Sequence, residues 1–453
     1  MDLSKFFSAK NIAIIGVSKD PKKVGHIIFR NLIDSNFEGN LFLVNPFADI
    51  ILNKKVYHSL LNIKENIELA VIALPAKKVP QVIKECGKKK IQNIIIISSG
   101  FKEMGNIKLE DEVNNLLEKY KIKCIWVNSL GIFDAYTKLD TLFLPRYRLK
   151  RPKPGNISFV SQSGALGLAI LDLATSENYG IAKFISYGNA TNIDESDILE
   201  FLLQDNNTKV ICMYIEGVKD GRKFLEIAKK VSKVKPIIVI KGGITEKGKE
   251  AALSHTGALA GEAEVYYAAF KQANIIQANS LQEVFNFARI LEKSMLTKGD
   301  RVQVITNGGG YGVLSIDSII KNNLSLASLN KKTIEKLKKQ LTNLVVISNP
   351  IDLSGDATTE RYKIAIDACL DDNNVDILLL IVLYQSPLID TSILDIITEA
   401  KDLKKKPIIV VSTGGEFTDT LKRSLEDNGV VNFTFPEDAV KAIKALTEYY
   451  LKR

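Results

Sequence analysis

Three histidines occur in the 453 residues, and His255 stands in KGGITEKGKEAALSHTGALAG, Lys241 to Gly261. The segment is small and polar and offers no apolar face that would bury an imidazole. Its glycines, at 242, 243, 248, 257 and 261, make it a loop able to move, because glycine reaches backbone angles closed to other residues. A histidine on such an arm suits group transfer between two places. The plainer alternative is a histidine beside a helix start, with Ser254 or Thr256 as the cap.

Two glycine turns offer what such a transfer needs. After an apolar run come Ser161, Gln162, Ser163, Gly164, Ala165, Leu166 and Gly167. Free amides, two hydroxyls and the positive end of a helix converge there, which describes an anion site. Ser163 as a nucleophile is the weaker reading, since the stretch is not G-x-S-x-G and no acid and histidine follow in hydrolase order. Asn307, Gly308, Gly309, Gly310, Tyr311 and Gly312 repeat the pattern. Two such turns in successive domains can face one another and clamp one phosphoryl group. Glu216, in Tyr214-Ile215-Glu216-Gly217, is a strand-end carboxylate able to hold an imidazole in one tautomer; a solvated loop acid is the alternative.

The N-terminal third carries a different rim. Gly16, Val17 and Ser18 open a loop that runs through Lys22 and Lys23 into a helix, and either lysine can hold phosphate there. Further strand ends give Asn45 and Pro46, then Ala73, Leu74 and Pro75, then Ser98, Ser99 and Gly100, then Asn128. Each alone is an ordinary turn; together they suit a nucleotide-like ligand. The loop is not G-x-G-x-x-G, and Asn45 stands where a nicotinamide enzyme places an acid for the ribose, which argues against NAD.

The elements that must position these residues are α/β throughout. Aliphatic runs at Ile12–Val17, Leu41–Val44, Leu69–Leu74, Ile94–Ser98 and Lys123–Val127 alternate with amphipathic stretches such as Val79–Cys86 and Leu109–Tyr120. That rhythm predicts a doubly wound sheet whose ligand crevice lies beyond the carboxyl ends of its strands. A second such pattern has strands at Ile157–Ser161, Ala182–Ser186, Val210–Ile215 and Ile237–Ile240, with helices near Leu166–Thr175, Ile198–Gln204 and Arg222–Val231. A third has strands at Val302–Thr306, Ile377–Leu383 and Ile408–Val411 and a closing helix at Pro436–Leu451. The basic, Pro-rich stretch Arg146–Gly155 and the stretch Lys293–Asp300 read as linkers. Three domains follow, 1–145, 146–295 and 296–453.

Composition narrows the class. Apolar content of 46% with 25% charged residues is that of a soluble globular chain. The net charge of +9 is spread over single and paired lysines with no interleaved aromatics, so no nucleic acid is expected. It fits phosphate-rich ligands. The four cysteines, at 86, 124, 212 and 369, form no CxxC pair, so neither metal nor disulfides are expected, and a reducing cytoplasm is. No apolar run is long enough to span a bilayer, and the N-terminus carries no signal pattern, so no membrane partner is expected.

With these motifs set in order, the chain resembles the α subunit of ADP-forming acetyl-CoA synthetases, in the succinyl-CoA synthetase superfamily. The matches are GVSKDPKKVG, VIALP, SSG, SQSGALG, YIEG, SHTGALAG, TNGGGYG and NPIDL, over essentially the whole length. Where the family commonly reads Pro-Asn-Cys-Leu-Gly, this chain has Val127, Asn128, Ser129, Leu130 and Gly131, keeping the Asn and replacing the Cys. The resemblance implies a Rossmann-like CoA-binding domain followed by two flavodoxin-like ligase domains. It implies that acyl-CoA and phosphate give acyl phosphate and CoA, and that the phosphoryl group passes to His255 and then to ADP. Glu216 would orient the ring, and the two glycine turns would cradle the group. Neutral imidazole is a competent nucleophile toward an acyl phosphate, and the phosphohistidine asks for donors around it. No G-x-x-x-x-G-K-[ST] loop and no ATP-grasp region are found, so ADP or ATP with Mg is expected on a β subunit, in an α2β2 heterotetramer. The acid itself is not specified. A non-catalytic CoA-binding sensor or scaffold is the competing expectation.

Overall fold

The computed structural model describes residues 2–125, 129–188, 190–250 and 262–451. They fall into two compact units, Met1–Asn279 and Ser280–Arg453.

The first unit contains two sheets. The first is built from β1 (Asn11–Ile15), β2 (Asn40–Val44), β3 (Ile50–Ile51), β4 (Lys54–Tyr57), β5 (Leu69–Ile72), β6 (Asn93–Ile96) and β7 (Lys123–Ile125), in the order β3-β4-β2-β1-β5-β6-β7. All neighbours run parallel except the β3–β4 hairpin at the edge. Without that edge strand the order is the Rossmann one, with its switch point between β1 and β5. Ile12, Ala13, Ile14 and the whole of β5 are fully buried, which is why these strands read as unbroken aliphatic runs rather than alternating ones. The observed strands are shorter than the apolar runs. Gly16, at φ +94, turns the chain out of the sheet directly after β1.

The second sheet comprises β8 (Ile132–Asp134), β9 (Leu139–Asp140), β10 (Ile157–Ser161), β11 (Ile181–Ser186), β12 (Val210–Ile215), β13 (Ile237–Lys241) and β14 (Ile276–Ala278), ordered β14-β13-β12-β10-β11-β8-β9. Strands β10 to β14 are parallel in the flavodoxin order, with the switch point between β10 and β12. The antiparallel β8 and β9 precede the expected linker 146–155 and yet extend this sheet. Nor is that basic stretch loose. The side chain of Arg151 is 1% exposed and donates from Nε to Asp140 Oδ2 at 2.9 Å, while Arg146 Nη1 donates to the same oxygen at 3.0 Å. Burial pushes the Asp140 carboxyl up, against the pull of both arginines.

The second unit holds β15 (Arg301–Thr306), β16 (Ser325–Leu326), β17 (Ile351–Asp352), β18 (Ile377–Ile381), β19 (Ile408–Val411) and β20 (Val431–Phe433), in the order β16-β15-β18-β19-β20, with β17 paired to β15. All are parallel, and the order is again that of flavodoxin. The helix Leu281–Lys293, which precedes the expected second linker, packs here against the closing helix Pro436–Leu451. Glu426 holds it: Lys293 Nζ donates to its Oε2 at 2.6 Å, Arg289 Nη2 donates to Oε1, and the Asn432 amide donates to Oε1 at 3.0 Å. Cysteines 86, 124, 212 and 369 are all buried, and none is joined in a disulfide. Among the described residues no helix is long and apolar enough to cross a membrane.

Candidate functional site

At the switch point of the second sheet, β10 and β12 end side by side, and their last residues explain the SQSGALG and YIEG motifs. Ser161 is fully buried and its hydroxyl donates to the Ser163 carbonyl at 2.7 Å, setting the turn. Ser163 Oγ caps the helix Gly164–Ser176, accepting from the Leu166 amide at 3.3 Å. The Ser163 hydroxyl thus serves as a helix cap. The amides of Gly164 and Ala165, the first two of the helix, have no intrahelical acceptor available. Ala165 is exposed.

Gln162 plays a part that its sequence position did not reveal. Its Oε1 accepts from the Glu216 amide at 2.5 Å and the Gly217 amide at 3.2 Å, tying β10 to the end of β12. Glu216 is 5% exposed. Tyr214 donates its hydroxyl to Glu216 Oε1 at 3.1 Å, and Lys241 Nζ donates to the Glu216 carbonyl at 2.7 Å. Glu216 Oε2 is buried with no hydrogen-bond partner among the described residues. The network therefore fixes the carboxylate and leaves one acceptor oxygen open, the arrangement that suits an imidazole N–H. The alternative of a solvated loop acid is excluded by its burial.

Lys241, Tyr214 and Tyr266 belong to this site and were not anticipated. Lys241 is 6% exposed, lies 4.7 Å from the centre of the Tyr266 ring and also bonds the Gly242 carbonyl. Burial pushes its ammonium below the ordinary lysine range, with Glu216 pulling the other way. Burial, then the Glu216 carboxylate, pushes the Tyr214 phenol up, so it stays a donor. The available signal was a lysine closing the apolar strand IIVIK, and a tyrosine two residues before Glu216, on the same side of the chain.

The second unit repeats the device. Thr306 Oγ1 donates to the Gly308 carbonyl at 3.0 Å, as Ser161 does to Ser163. Asn307, 5% exposed, accepts at Oδ1 from the Leu383 amide and the Tyr362 hydroxyl, both at 2.9 Å, and donates from Nδ2 to the Leu383 carbonyl at 3.1 Å. Its amide is thus committed to the fold. The donors available to an anion are the backbone amides at the start of the helix Gly309–Lys321, whose N-cap Gly308 supplies no side chain. A Cβ on Gly310 would meet nothing within 4 Å, whereas one on Gly309 would lie 2.8 Å from Asp352 Oδ2.

In the first sheet the expected rim closes around a cleft of about 880 Å³. Gly16, Val17, Ser18, Lys23, Asn45, Pro46, Ala73, Leu74, Pro75, Ser98 and Ser99 all line it, joined by Lys77, Lys78 and the 87% exposed Phe47. Gly16 and Gly25 permit the close approach: a Cβ would lie 2.3 Å from the Ala73 carbonyl at the first and 2.3 Å from the Gly16 carbonyl at the second. The helix Val24–Asp34 starts without a side-chain cap, so its end is open to an anion. Asn45 is a clip: Nδ2 donates to the Val17 carbonyl at 2.6 Å and Oδ1 accepts from the Phe47 amide at 2.7 Å. Gly100 is not part of the lining, and its amide is taken by Glu103 Oε1 at 2.6 Å.

His255 and Asn128 lie outside the described residues. The flanks of 251–261 are described, and Lys249 Nζ joins Glu262 Oε2 across them at 2.8 Å. Ser129, where the family commonly has cysteine, donates its hydroxyl to the Ser186 carbonyl at 2.6 Å and accepts from the Gly131 amide at 3.0 Å.

This geometry, three mainly parallel sheets each with a glycine turn beyond its carboxyl edge, agrees with the comparisons. Residues 10–134 match the CoA binding domain, 154–291 the succinyl-CoA ligase like flavodoxin domain, and 302–450 the ligase-CoA domain. The chain is thus a CoA-binding and ligase-domain protein of the succinyl-CoA ligase type. It is 39% identical to the acetate–CoA ligase (ADP-forming) II subunit alpha of Pyrococcus furiosus over 98% of this chain and 97% of that one. The chain belongs to the family of ADP-forming acetate–CoA ligases. It is 43% identical to the Methanocaldococcus jannaschii acetate–CoA ligase (ADP-forming), over 98% of this chain, but spans only 63% of that protein's length. A solved acetyl-coenzyme A synthetase of Ca. Korarchaeum cryptofilum, in complex with phosphate and ADP, superposes with a TM-score of 0.93 at 36% identity, over 99% of this chain and 97% of that one.

Proposed function

We propose that this chain is the α subunit of an ADP-forming acyl-CoA synthetase, converting acyl-CoA, phosphate and ADP to acid, CoA and ATP through an acyl phosphate and a phosphohistidine on His255. The observation that carries this reading is Glu216: a buried carboxylate held by Gln162, Tyr214 and Lys241, with Oε2 left open among the described residues, at the end of the strand that pairs with β10, from which the helix Gly164–Ser176 follows. The imidazole of His255 would donate one ring N–H to Oε2 and attack phosphorus with the other nitrogen, while the Gly164 and Ala165 amides would stabilise the transferring anion. A sensor or scaffold would need neither this carboxylate network nor the histidine loop.

CoA would lie in the cleft of the first sheet, its phosphates near Ser18, Lys23 and the open end of the helix Val24–Asp34. The nucleotide and Mg would belong to an ATP-grasp β subunit in an α2β2 assembly; the subunit name of the Pyrococcus furiosus relative supports a separate partner. Four unbridged cysteines are in keeping with the reducing cytoplasm. The test is labelling. The chain incubated with radioactive acetyl phosphate should take up an acid-labile, base-stable phosphate at His255, and should stay unlabelled with ATP alone. A label elsewhere, or efficient labelling by ATP, would overturn the assignment.

A further inference from the structure

His26, in the first turn of the helix Val24–Asp34, is 8% exposed and does not itself line the cleft of the first sheet. Its Nδ1 lies 2.8 Å from the carbonyl oxygen of Ser18, eight residues back, across the loop that opens at Gly16. A carbonyl only accepts, so Nδ1 carries the proton and donates, whether the ring is neutral or charged. The helix start has no side-chain cap, so the ring satisfies no orphan amide of the helix; it holds the loop.

That bond fixes the direction of one peptide. The Ser18–Lys19 bond is trans, and in a planar trans peptide the C=O and the N–H point opposite ways. With the Ser18 carbonyl turned toward His26, the Lys19 amide is turned away from it. Asn45 acts likewise on the preceding peptide, where its Nδ2 donates to the Val17 carbonyl at 2.6 Å and so fixes the Ser18 amide. The amides that follow are committed within the loop. That of Asp20 donates to Ser18 Oγ at 3.1 Å, that of Lys22 to Asp20 Oδ1 at 2.9 Å, and that of Lys23 to the Asp20 carbonyl at 3.1 Å. The Ser18 and Lys19 amides have no acceptor among the described residues, and Ser18 and Lys23, to either side of Lys19, line the cleft.

We propose that His26 is a positioning residue for the CoA site: by holding the Ser18 carbonyl it presents the Lys19 amide to the ligand's phosphates, beside Lys23 and the open helix end. This rests on the reading of the cleft as the CoA site. A loop peptide free to rotate would offer its carbonyl as readily as its N–H, and a carbonyl oxygen beside a phosphate repels it. A donor already aimed at the anion spares that ordering on binding. The role needs a donor at Nδ1 and no charge, which separates it from a histidine that meets phosphate as a cation.

The experiment compares the full chain with His26→Asn, which keeps a donor near the place of Nδ1, and with His26→Leu, which keeps bulk without a donor. In calorimetric titration His26→Leu should bind CoA about five- to tenfold more weakly, and His26→Asn within about twofold of the wild type. Labelling from acetyl-CoA and phosphate should show KM for acetyl-CoA raised in His26→Leu with little change in the saturated rate. Unchanged CoA affinity in His26→Leu, or equal loss in both variants, would overturn the proposal. Selective labelling of serine carbonyl carbon and lysine amide nitrogen makes the Ser18–Lys19 peptide visible by magnetic resonance, and its signal should move when CoA is added to the wild type. That measurement decides the matter even if His26→Leu does not fold. CoA binding with an unmoved Ser18–Lys19 signal sinks the role of His26 alone, whereas a wild type that gives no heat with CoA sinks the reading of the cleft and this role with it.

Discussion

The side-chain carbonyl of Gln162 accepts the backbone amide of Glu216 at 2.5 Å, so the position of the buried carboxylate is set from the neighbouring strand and not by its own loop. Glu216 and Gly217 both depend on this acceptor. Gln162→Ala strands two buried amides at about 1–3 kcal/mol each. Urea denaturation should show a loss of about 2–4 kcal/mol, and labelling should drop by at least about tenfold. Gln162→Glu restores an acceptor and much of the stability, while labelling stays low because a second charge now adjoins Glu216.

Removal of the nucleophile and removal of its orienting charge should differ. Glu216→Gln still accepts an N–H but no longer favours a developing imidazolium, so rapid-quench labelling should slow about 10- to 100-fold. His255→Ala should abolish it. Equal loss in both would show that Glu216 does more than orient.

Lys23 stands at the uncapped start of the helix Val24–Asp34, on the lip of the cleft. Lys23→Ala should weaken CoA binding by about 1–2 kcal/mol, read as a roughly 5- to 30-fold change in calorimetric titration, with the effect shrinking at high salt. NAD should give no heat. The titration requires the full chain, because β8 and β9 would lose their partner strand in an isolated 1–145 fragment.

Glu426 offers a test of how the second unit is held together. Burial raises its pKa, but Arg289 and Lys293 outweigh that and hold the carboxyl below the ordinary range. A depressed carboxylate contributes stability that is present above its ordinary value of about 4.5 and lost as pH falls through its folded value. Glu426→Gln should therefore cost about 3–5 kcal/mol at neutral pH, by urea denaturation, and flatten the acid side of the stability profile.

The sequence was informative where a physical constraint is local. Buried parallel strands show as aliphatic runs, and glycine turns mark strand-to-helix junctions, so much of the cleft lining and the Ser161–Ala165 and Asn307–Gly310 turns could be read, whereas Lys77, Lys78 and Phe47 were missed and Gly100 lies outside the lining. Partners distant in the chain were not. Asp140 binds Arg151 from a two-residue strand that no periodicity announces. Asn307 read as a ligand-facing amide, but hydrogen bonds with Leu383 commit it to the fold, and Asn45, though it lines the cleft as expected, is also tied to Val17 and Phe47.

The four buried thiols have a practical consequence. Burial pushes those of Cys86 and Cys124 far up and that of Cys369 to about 12, so almost no thiolate forms on them at neutral pH. Cys212, 1% exposed, is shut away from reagents by the same packing. Alkylating dyes and spin labels should find the native chain chemically silent. One cysteine introduced at an exposed position such as Glu246 or Glu262 would then be a clean address for a fluorophore. A label there would report on the flanks of residues 251–261 without first stripping the protein of its own sulfur.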